Sequence, residues 1–207
     1  MKAETPILPI NHPDAISRAA SIIKGGGVIA FPTDTVYGVG ASAFQKAAID
    51  RIYKIKERSK EKAIPILIGD PGELSIISSP PNQQIIQLMD QFWPGALTLI
   101  LPIAPDLPNN LSTSATIGVR IPDHELTRQL LRATGPLAAT SANLSGEESA
   151  LSAQDVSQIL GSKIDLILDG GRSKGGEAST VLDLTGADPV ILRVGPITLD
   201  DIKPYLV

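Results

Sequence analysis

The chain has 207 residues, 18 basic against 22 acidic side chains for a net charge of -4, 43% hydrophobic residues and no cysteine, the composition of one folded domain spanning 1–207. The missing cysteines exclude disulfides, zinc-thiolate sites, iron-sulfur clusters and thiol nucleophiles, and His12 and His124 are too few for a multi-histidine metal site. No apolar run is long enough to span a bilayer and Met1 to Pro9 lacks a secretory pattern, so a cytoplasmic protein is expected, and its mild acidity argues against wholesale coating of nucleic acid.

Asn11-His12-Pro13-Asp14 followed by Ile16, Ala19, Ala20 and Ile23 predicts a first helix with proline in its opening turn, stopped at Lys24-Gly25. Val28 to Phe31 reads as a buried strand ended by Pro32 and the polar run Thr33-Asp34-Thr35. From Gln45 the residues Ala48, Ile49, Ile52, Tyr53 and Ile55 take helical spacing, and Lys56 continues the same inward stripe. Ala63 to Ile68 predicts a second buried strand; Ile85, Ile86, Leu88, Met89, Phe92 and Trp93 predict a helix that Pro94-Gly95 terminates; Leu97 to Leu101 predicts another strand. Ile117 to Ile121 follows as a strand, then a helix capped by Asp123 that carries Leu126, Leu130 and Leu131, then a strand at Leu137 to Thr140. Leu151 to Leu160 reads as a helix and Leu166 to Leu168 as a strand. Val181 to Leu184 and Val190 to Leu192 form a hairpin around Thr185-Gly186-Ala187-Asp188-Pro189, with a short helix at Thr198 to Leu206. Crossovers plus one hairpin imply an α/β fold: a mixed, twisted sheet with flanking helices.

Polar residues collect where strands end: Thr33, Asp34 and Thr35 after one, Ser141, Ala142 and Asn143 after another, Arg193 after a third. In open α/β sheets ligands bind beyond strand ends, although the same residue types also serve plain turns and caps. Lys56, on an aliphatic helix face, calls for an anion unless it snorkels past the helix C-terminus. Arg120 and Arg193 sit in apolar strands and call for a carboxylate or phosphate, a structural salt bridge serving as well. A Walker A sequence is absent, and Gly38-Val39-Gly40 runs into Ala43 where a dinucleotide fingerprint needs its third glycine. Asp169-Gly170-Gly171-Arg172-Ser173-Lys174-Gly175-Gly176 is either a phosphate-closing lid or a flexible connector. Phe92-Trp93-Pro94-Gly95 reads as a packing corner, and the histidines as surface or capping residues.

Phe31-Pro32-Thr33-Asp34-Thr35-Val36-Tyr37-Gly38, Ile55-Lys56-Glu57-Arg58, Trp93-Pro94-Gly95-Ala96-Leu97-Thr98, Val119-Arg120-Ile121-Pro122, Thr140-Ser141-Ala142-Asn143, Ser179-Thr180-Val181 and Leu192-Arg193-Val194-Gly195-Pro196 run in order along nearly the whole chain. Together they resemble the YrdC/TsaC threonylcarbamoyl-AMP synthase family. The resemblance implies a YrdC-like fold around a basic concave cavity, and the reaction of L-threonine, bicarbonate and ATP, accompanied by Mg²⁺, to threonylcarbamoyl-adenylate and pyrophosphate. The product would pass to tRNA-modifying threonylcarbamoyl-transferase proteins that make threonylcarbamoyladenosine beside the anticodon. Carried onto this chain, Lys56, Arg58, Thr116, Ser141, Asn143 and Arg193 are the expected ATP side, with Lys56, Arg58, Ser141 and Asn143 as the catalytic set. Thr33, Thr35, Arg120 and Ser179 are the expected threonine side.

The chain also departs from the family pattern. Leu67 stands where many members carry histidine near the threonine, Ala178 where glutamate is common and Val194 where proline is common. With the chain ending soon after Pro196, the short single-domain form is expected. The alternative reading is a YrdC-like module that binds double-stranded RNA or tRNA without synthase activity. Its salt dependence would be steep, and the net charge of -4 argues mildly against it.

Overall fold

The computed structural model describes residues 4–186 and 188–206. In chain order the elements are β1 (Ile7–Pro9), α1 (Ala15–Lys24), β2 (Ile29–Phe31), β3 (Gly38–Ser42), α2 (Lys46–Lys56), β4 (Ile66–Leu67), α3 (Gln83–Phe92), β5 (Leu97–Pro102), β6 (Thr116–Arg120), α4 (Glu125–Thr134), β7 (Leu137–Ser141), α5 (Ala153–Leu160), β8 (Leu166–Asp169), β9 (Thr180–Asp183), β10 (Val190–Arg193) and α6 (Leu199–Ile202). Among the described residues ten strands form one sheet in the order β1-β8-β2-β3-β7-β4-β6-β5-β9-β10. Parallel pairs (β1 with β8, β8 with β2, β4 with β6, β5 with β9) alternate irregularly with antiparallel ones, so the sheet is mixed as expected. The β9–β10 hairpin forms, and Ala187 of its turn lies outside the described residues, as do Met1 to Ala3 and Val207. None of the described helices is long and apolar enough to cross a membrane.

Two-residue alternation along the strands explains both where the core sits and where it stops. Leu97, Leu99 and Leu101 of β5, Ile117 and Val119 of β6, Ile66 of β4 and Leu182 of β9 point into a large core shared with α2, α3 and α5. The opposite face over β2, β8 and β7 is closed by α1 and α4, whose Ala15, Ala19, Ile23, Leu130 and Leu131 pack on Ile29, Phe31, Leu137 and Leu166. Farther along that face, β4, β6, β5 and β9 present Leu67, Gly118, Arg120, Thr98, Ile100 and Val181 to a cavity instead. Glycine at 118 keeps this floor low: an added Cβ would stand 3.0 Å from Thr98 Cγ2 and 3.3 Å from Pro65 Cβ.

Several local expectations change. The residue that caps α4 is His124, not Asp123: its Nδ1 accepts from the Thr127 amide at 3.3 Å, while Asp123 pairs with Arg128 at 3.0 Å. The strand expected over Ala63 to Ile68 contracts to Ile66–Leu67, because the Ala63 carbonyl accepts from Arg58 and the Ile64 amide donates to Leu111. Strands β1 and β3 were not foreseen; Pro6 and Pro9 mask the first, and Gly38 and Gly40 dilute the second. The Trp93 corner is a packing corner, with the buried indole donating to the Leu97 carbonyl at 2.8 Å.

Candidate active site

The cavity has a volume of about 280 Å³. It is bounded by the Thr33–Gly38 segment after β2, by the C-terminal end of β7 and by the Ser179 approach to β9. Three guanidiniums, Arg58, Arg120 and Arg193, reach it, and no carboxylate is among its lining residues. Strand-end hydroxyls and small apolar side chains make up most of the remaining wall.

The three cations differ in what already holds them. Arg120 is 5% exposed and is fixed on three sides: Nε donates to the Gly95 carbonyl at 2.7 Å, Nη1 to Thr35 Oγ1 at 2.9 Å and Nη2 to Asp34 Oδ1 at 2.5 Å. Burial pushes this guanidinium below its ordinary range, and Asp34 opposes that shift while Arg193 adds to it. Arg120 is therefore a neutralised cation with two of its five N–H groups still uncommitted. Asp34, one of the strand-end polar residues, is the partner that sequence reasoning did not pair with Arg120; its carboxylate also accepts the Asp123 amide at 3.1 Å.

Arg193 leaves β10 and donates to Ser179 twice, Nε to the carbonyl at 2.9 Å and Nη2 to Oγ at 3.1 Å, while Ser179 Oγ also meets Thr98 Oγ1 at 2.8 Å. Arg58 donates to the carbonyls of Lys62 at 3.0 Å and Ala63 at 2.8 Å. Neither guanidinium has a carboxylate partner among the described residues. Burial lowers the pKa of both, and the charge of Arg58 lowers Arg193 further. Two like charges near enough to act on each other, with no carboxylate partner among the described residues, can attract an anion.

Lys56 lies elsewhere than its motif neighbour. It is 1% exposed and has no carboxylate partner among the described residues; its ammonium donates to the main-chain carbonyls of Ser141 and Asn143, each at 2.5 Å, and to Asn143 Oδ1 at 3.3 Å. Carbonyl dipoles take up this ammonium, which clamps the turn after β7 and is not among the cavity-lining residues. Burial drives its pKa down to about 7, with the charge of Arg58 helping. Glu57 makes the division possible: it caps α2 in the left-handed region at φ 53°, the one positive-φ non-glycine among the described residues, and turns Arg58 away from Lys56. In the clamped turn Ser141 Oγ donates to Asn143 Oδ1 at 2.5 Å, and Asn143 Nδ2 is committed to the carbonyls of Leu144 and Glu147. Ser141 lines the cavity; Asn143 stands behind it. Thr116, first residue of β6, shares the face of Gly118 and Arg120 but lies beyond the lining, bonded to Ser114.

On the opposite wall Thr33 Oγ1 and Thr35 Oγ1 bond to each other at 2.9 Å, and both residues are buried. Tyr37, a missed member, is buried; its hydroxyl donates to the Gly171 carbonyl at 2.7 Å, and burial pushes the phenol up to about 12, so it keeps its proton. Leu67 lines the cavity and contributes only apolar surface there.

A family model described as "Telomere recombination", covering Sua5, YciO and YrdC, matches residues 21–195. The chain belongs to the Sua5/YciO/YrdC family. A curated member, the threonylcarbamoyl-AMP synthase of Bacillus subtilis, is 42% identical over 202 residues, which is 96% of this chain and 58% of that protein. Among solved members, Pyrococcus abyssi Sua5 in complex with L-threonine superposes with a TM-score of 0.93 at 36% identity, covering 98% of this chain and 60% of Sua5. Escherichia coli YciO superposes with a TM-score of 0.85 at 32% identity over the whole of both chains. The chain therefore spans somewhat more than half the length of the Bacillus subtilis synthase and of Pyrococcus abyssi Sua5, and the full length of YciO. Its mixed sheet and flanking helices are the Sua5/YciO/YrdC fold.

Proposed function

We propose that this chain is a threonylcarbamoyl-AMP synthase, forming threonylcarbamoyl-adenylate and pyrophosphate from L-threonine, bicarbonate and ATP. The observation that carries this reading is the unequal treatment of three guanidiniums in one cavity. Arg58 and Arg193 keep their full charge, whereas Arg120 is neutralised by Asp34. Such a site suits two anions of different strength, a triphosphate at the first pair and a single carboxylate at the third. Relatives named threonylcarbamoyl-AMP synthase and a family structure holding L-threonine support the synthase reading.

On this reading threonine and bicarbonate first give the carbamate and water, which requires the amine in its neutral form. A carbamate oxygen then attacks the α-phosphorus of ATP, the bond to the bridging oxygen breaks, and pyrophosphate leaves. Negative charge grows on the phosphoryl oxygens and the leaving group, where the guanidiniums of Arg58 and Arg193 act without reorganising. Ser141 presents a hydroxyl to the phosphates, and Lys56 and Asn143 act through it by holding its turn. Thr116, at the outer end of the same face, belongs to the ATP side. Arg120 offers its two free N–H groups to the threonine carboxylate, flanked by Thr33, Thr35 and Ser179.

Among the described residues no group of three or more acidic or histidine side chains is arranged to hold a metal. Mg²⁺ would accompany the phosphates, as part of the substrate MgATP. The product, a mixed anhydride, is consumed by a transferase that modifies tRNA. The test is pyrophosphate release from folded protein with MgATP, omitting threonine or bicarbonate in turn. Release that needs both co-substrates supports the reading, and release indifferent to both overturns it.

A further inference from the structure

The glycine-rich segment from Gly170 to Gly176 has the composition of a lid, yet its bonds are those of a strap. Five hydrogen bonds join it to the Thr33–Tyr37 segment: Ser173 Oγ to the Thr33 carbonyl, Gly175 N to the Asp34 carbonyl, Gly176 N to the Thr35 carbonyl, Tyr37 Oη to the Gly171 carbonyl, and Gly170 N to Tyr37 Oη. The strap is itself anchored, since Ser173 N donates to the Leu151 carbonyl at 2.8 Å and Gly171 N to Asp169 Oδ1 at 2.9 Å. Ser173 is 8% exposed, whereas Arg172 and Lys174 on either side of it are exposed. The serine, not the cations, faces the Thr33–Tyr37 segment.

Three consecutive carbonyls, of Thr33, Asp34 and Thr35, are thus each taken up by a donor of the strap. Side chains of the same segment, Thr35 Oγ1 and Asp34 Oδ1, receive two N–H groups of Arg120. A carbonyl oxygen released from the strap could rotate toward Arg120, where it would compete for the guanidinium and repel an incoming carboxylate. Gly175 makes the approach possible: a Cβ there would stand 2.7 Å from the Asp34 oxygen and 2.9 Å from Thr35 Cα, both backbone atoms with no flexible end to yield.

We infer that Ser173 and Gly175 are positioning residues for the carboxylate-binding half of the cavity, acting through the Thr33-Asp34-Thr35 main chain on Arg120. This rests on the synthase reading only in taking that carboxylate to be threonine's. The experiment compares Ser173→Ala, Gly175→Ala and Lys174→Ala with the unaltered protein, measuring KM for threonine and for MgATP by pyrophosphate release, and threonine and ATP affinity by calorimetry. Loss of one buried, positioned hydrogen bond corresponds to a change of about five- to tenfold. Ser173→Ala should raise the threonine KM and Kd by that factor with ATP affinity within about twofold. Gly175→Ala should do more, and if it fails to fold, Ser173→Ala carries the test alone. Lys174→Ala should change neither KM. Equal losses toward threonine and ATP, or an ATP loss confined to Lys174→Ala, would overturn the inference, the latter in favour of a lid. If the unaltered protein ignores threonine altogether, it is the synthase reading that fails; if it uses threonine and Ser173→Ala matches it, only this inference fails.

Discussion

Replacing Asp34 with alanine would strip the Arg120 guanidinium of its carboxylate while leaving the cation in place at 5% exposure. Removing one partner of a buried ion pair costs about 3–5 kcal/mol, because the remaining charge stays desolvated. The Asp123 amide loses its acceptor as well, a further contribution of about 1 kcal/mol. Against this, the Asp34 side chain is 18% exposed, so water can re-enter on that side. The expected net loss in urea unfolding at pH 7 is about 3 kcal/mol for Asp34→Ala. For Asp34→Asn, which keeps an acceptor for both donors and loses only the charge, about half of that is expected. Function should move the opposite way for anions in general: once freed, Arg120 should bind inorganic phosphate or AMP more tightly in Asp34→Asn, by about threefold at low salt and less at high salt. A stability loss under about 0.5 kcal/mol for Asp34→Ala, with unchanged anion affinity, would refute the claim that Asp34 neutralises this cation.

Lys56 predicts a pH dependence of stability. Its folded value of about 7 lies below the value of about 10 for an exposed lysine, so between these the unfolded chain binds more protons and stability should rise with pH. Urea midpoints measured from pH 6.5 to 9 should show this rise and Lys56→Met should lack it; parallel curves would contradict the assignment. Arg58→Ala and Arg193→Ala should each weaken ATP binding by about 2 kcal/mol, roughly thirtyfold. Calorimetry checks this, and unchanged affinity in both would dismantle the triphosphate assignment. Gly195→Ala would drive a Cβ into the Ala178 carbonyl and to 2.5 Å from Thr180 N. Its thermal unfolding should reveal a loss of about 2 kcal/mol or more, and a neutral effect would mean that the hairpin carrying Arg193 shifts freely.

Strand alternation and helical spacing made most of the fold legible, because periods of 2 and 3.6 are written in consecutive side chains. The helices with clear apolar stripes, α1, α2 and α3, fall within a residue or two of their expected positions. Strand β3 was hidden because Gly38 and Gly40, which lie against Phe31, carry no hydrophobic signal. The α4 cap was misassigned because Asp123 and His124 are adjacent and both can accept from an amide. The candidate site was legible as residue types and not as partnerships. Nothing local shows that Arg120 would find Asp34, 86 positions earlier, or that the acceptors of Lys56 would be the carbonyls of Ser141 and Asn143. Nor could the glycine-rich segment, which reads as either a lid or a connector, show its bonds to the Thr33–Tyr37 segment, since those partners lie about two-thirds of the chain away.

The most direct test of the account supplies isotopically labelled bicarbonate with L-threonine and MgATP, and follows the adenylate by mass spectrometry. One labelled carbon is expected in a threonine-linked adenylate, formed in step with pyrophosphate and lost in an Arg58→Ala, Arg193→Ala double variant. An adenylate without the label, or pyrophosphate released with no threonine-linked adenylate from protein that binds ATP, would contradict it.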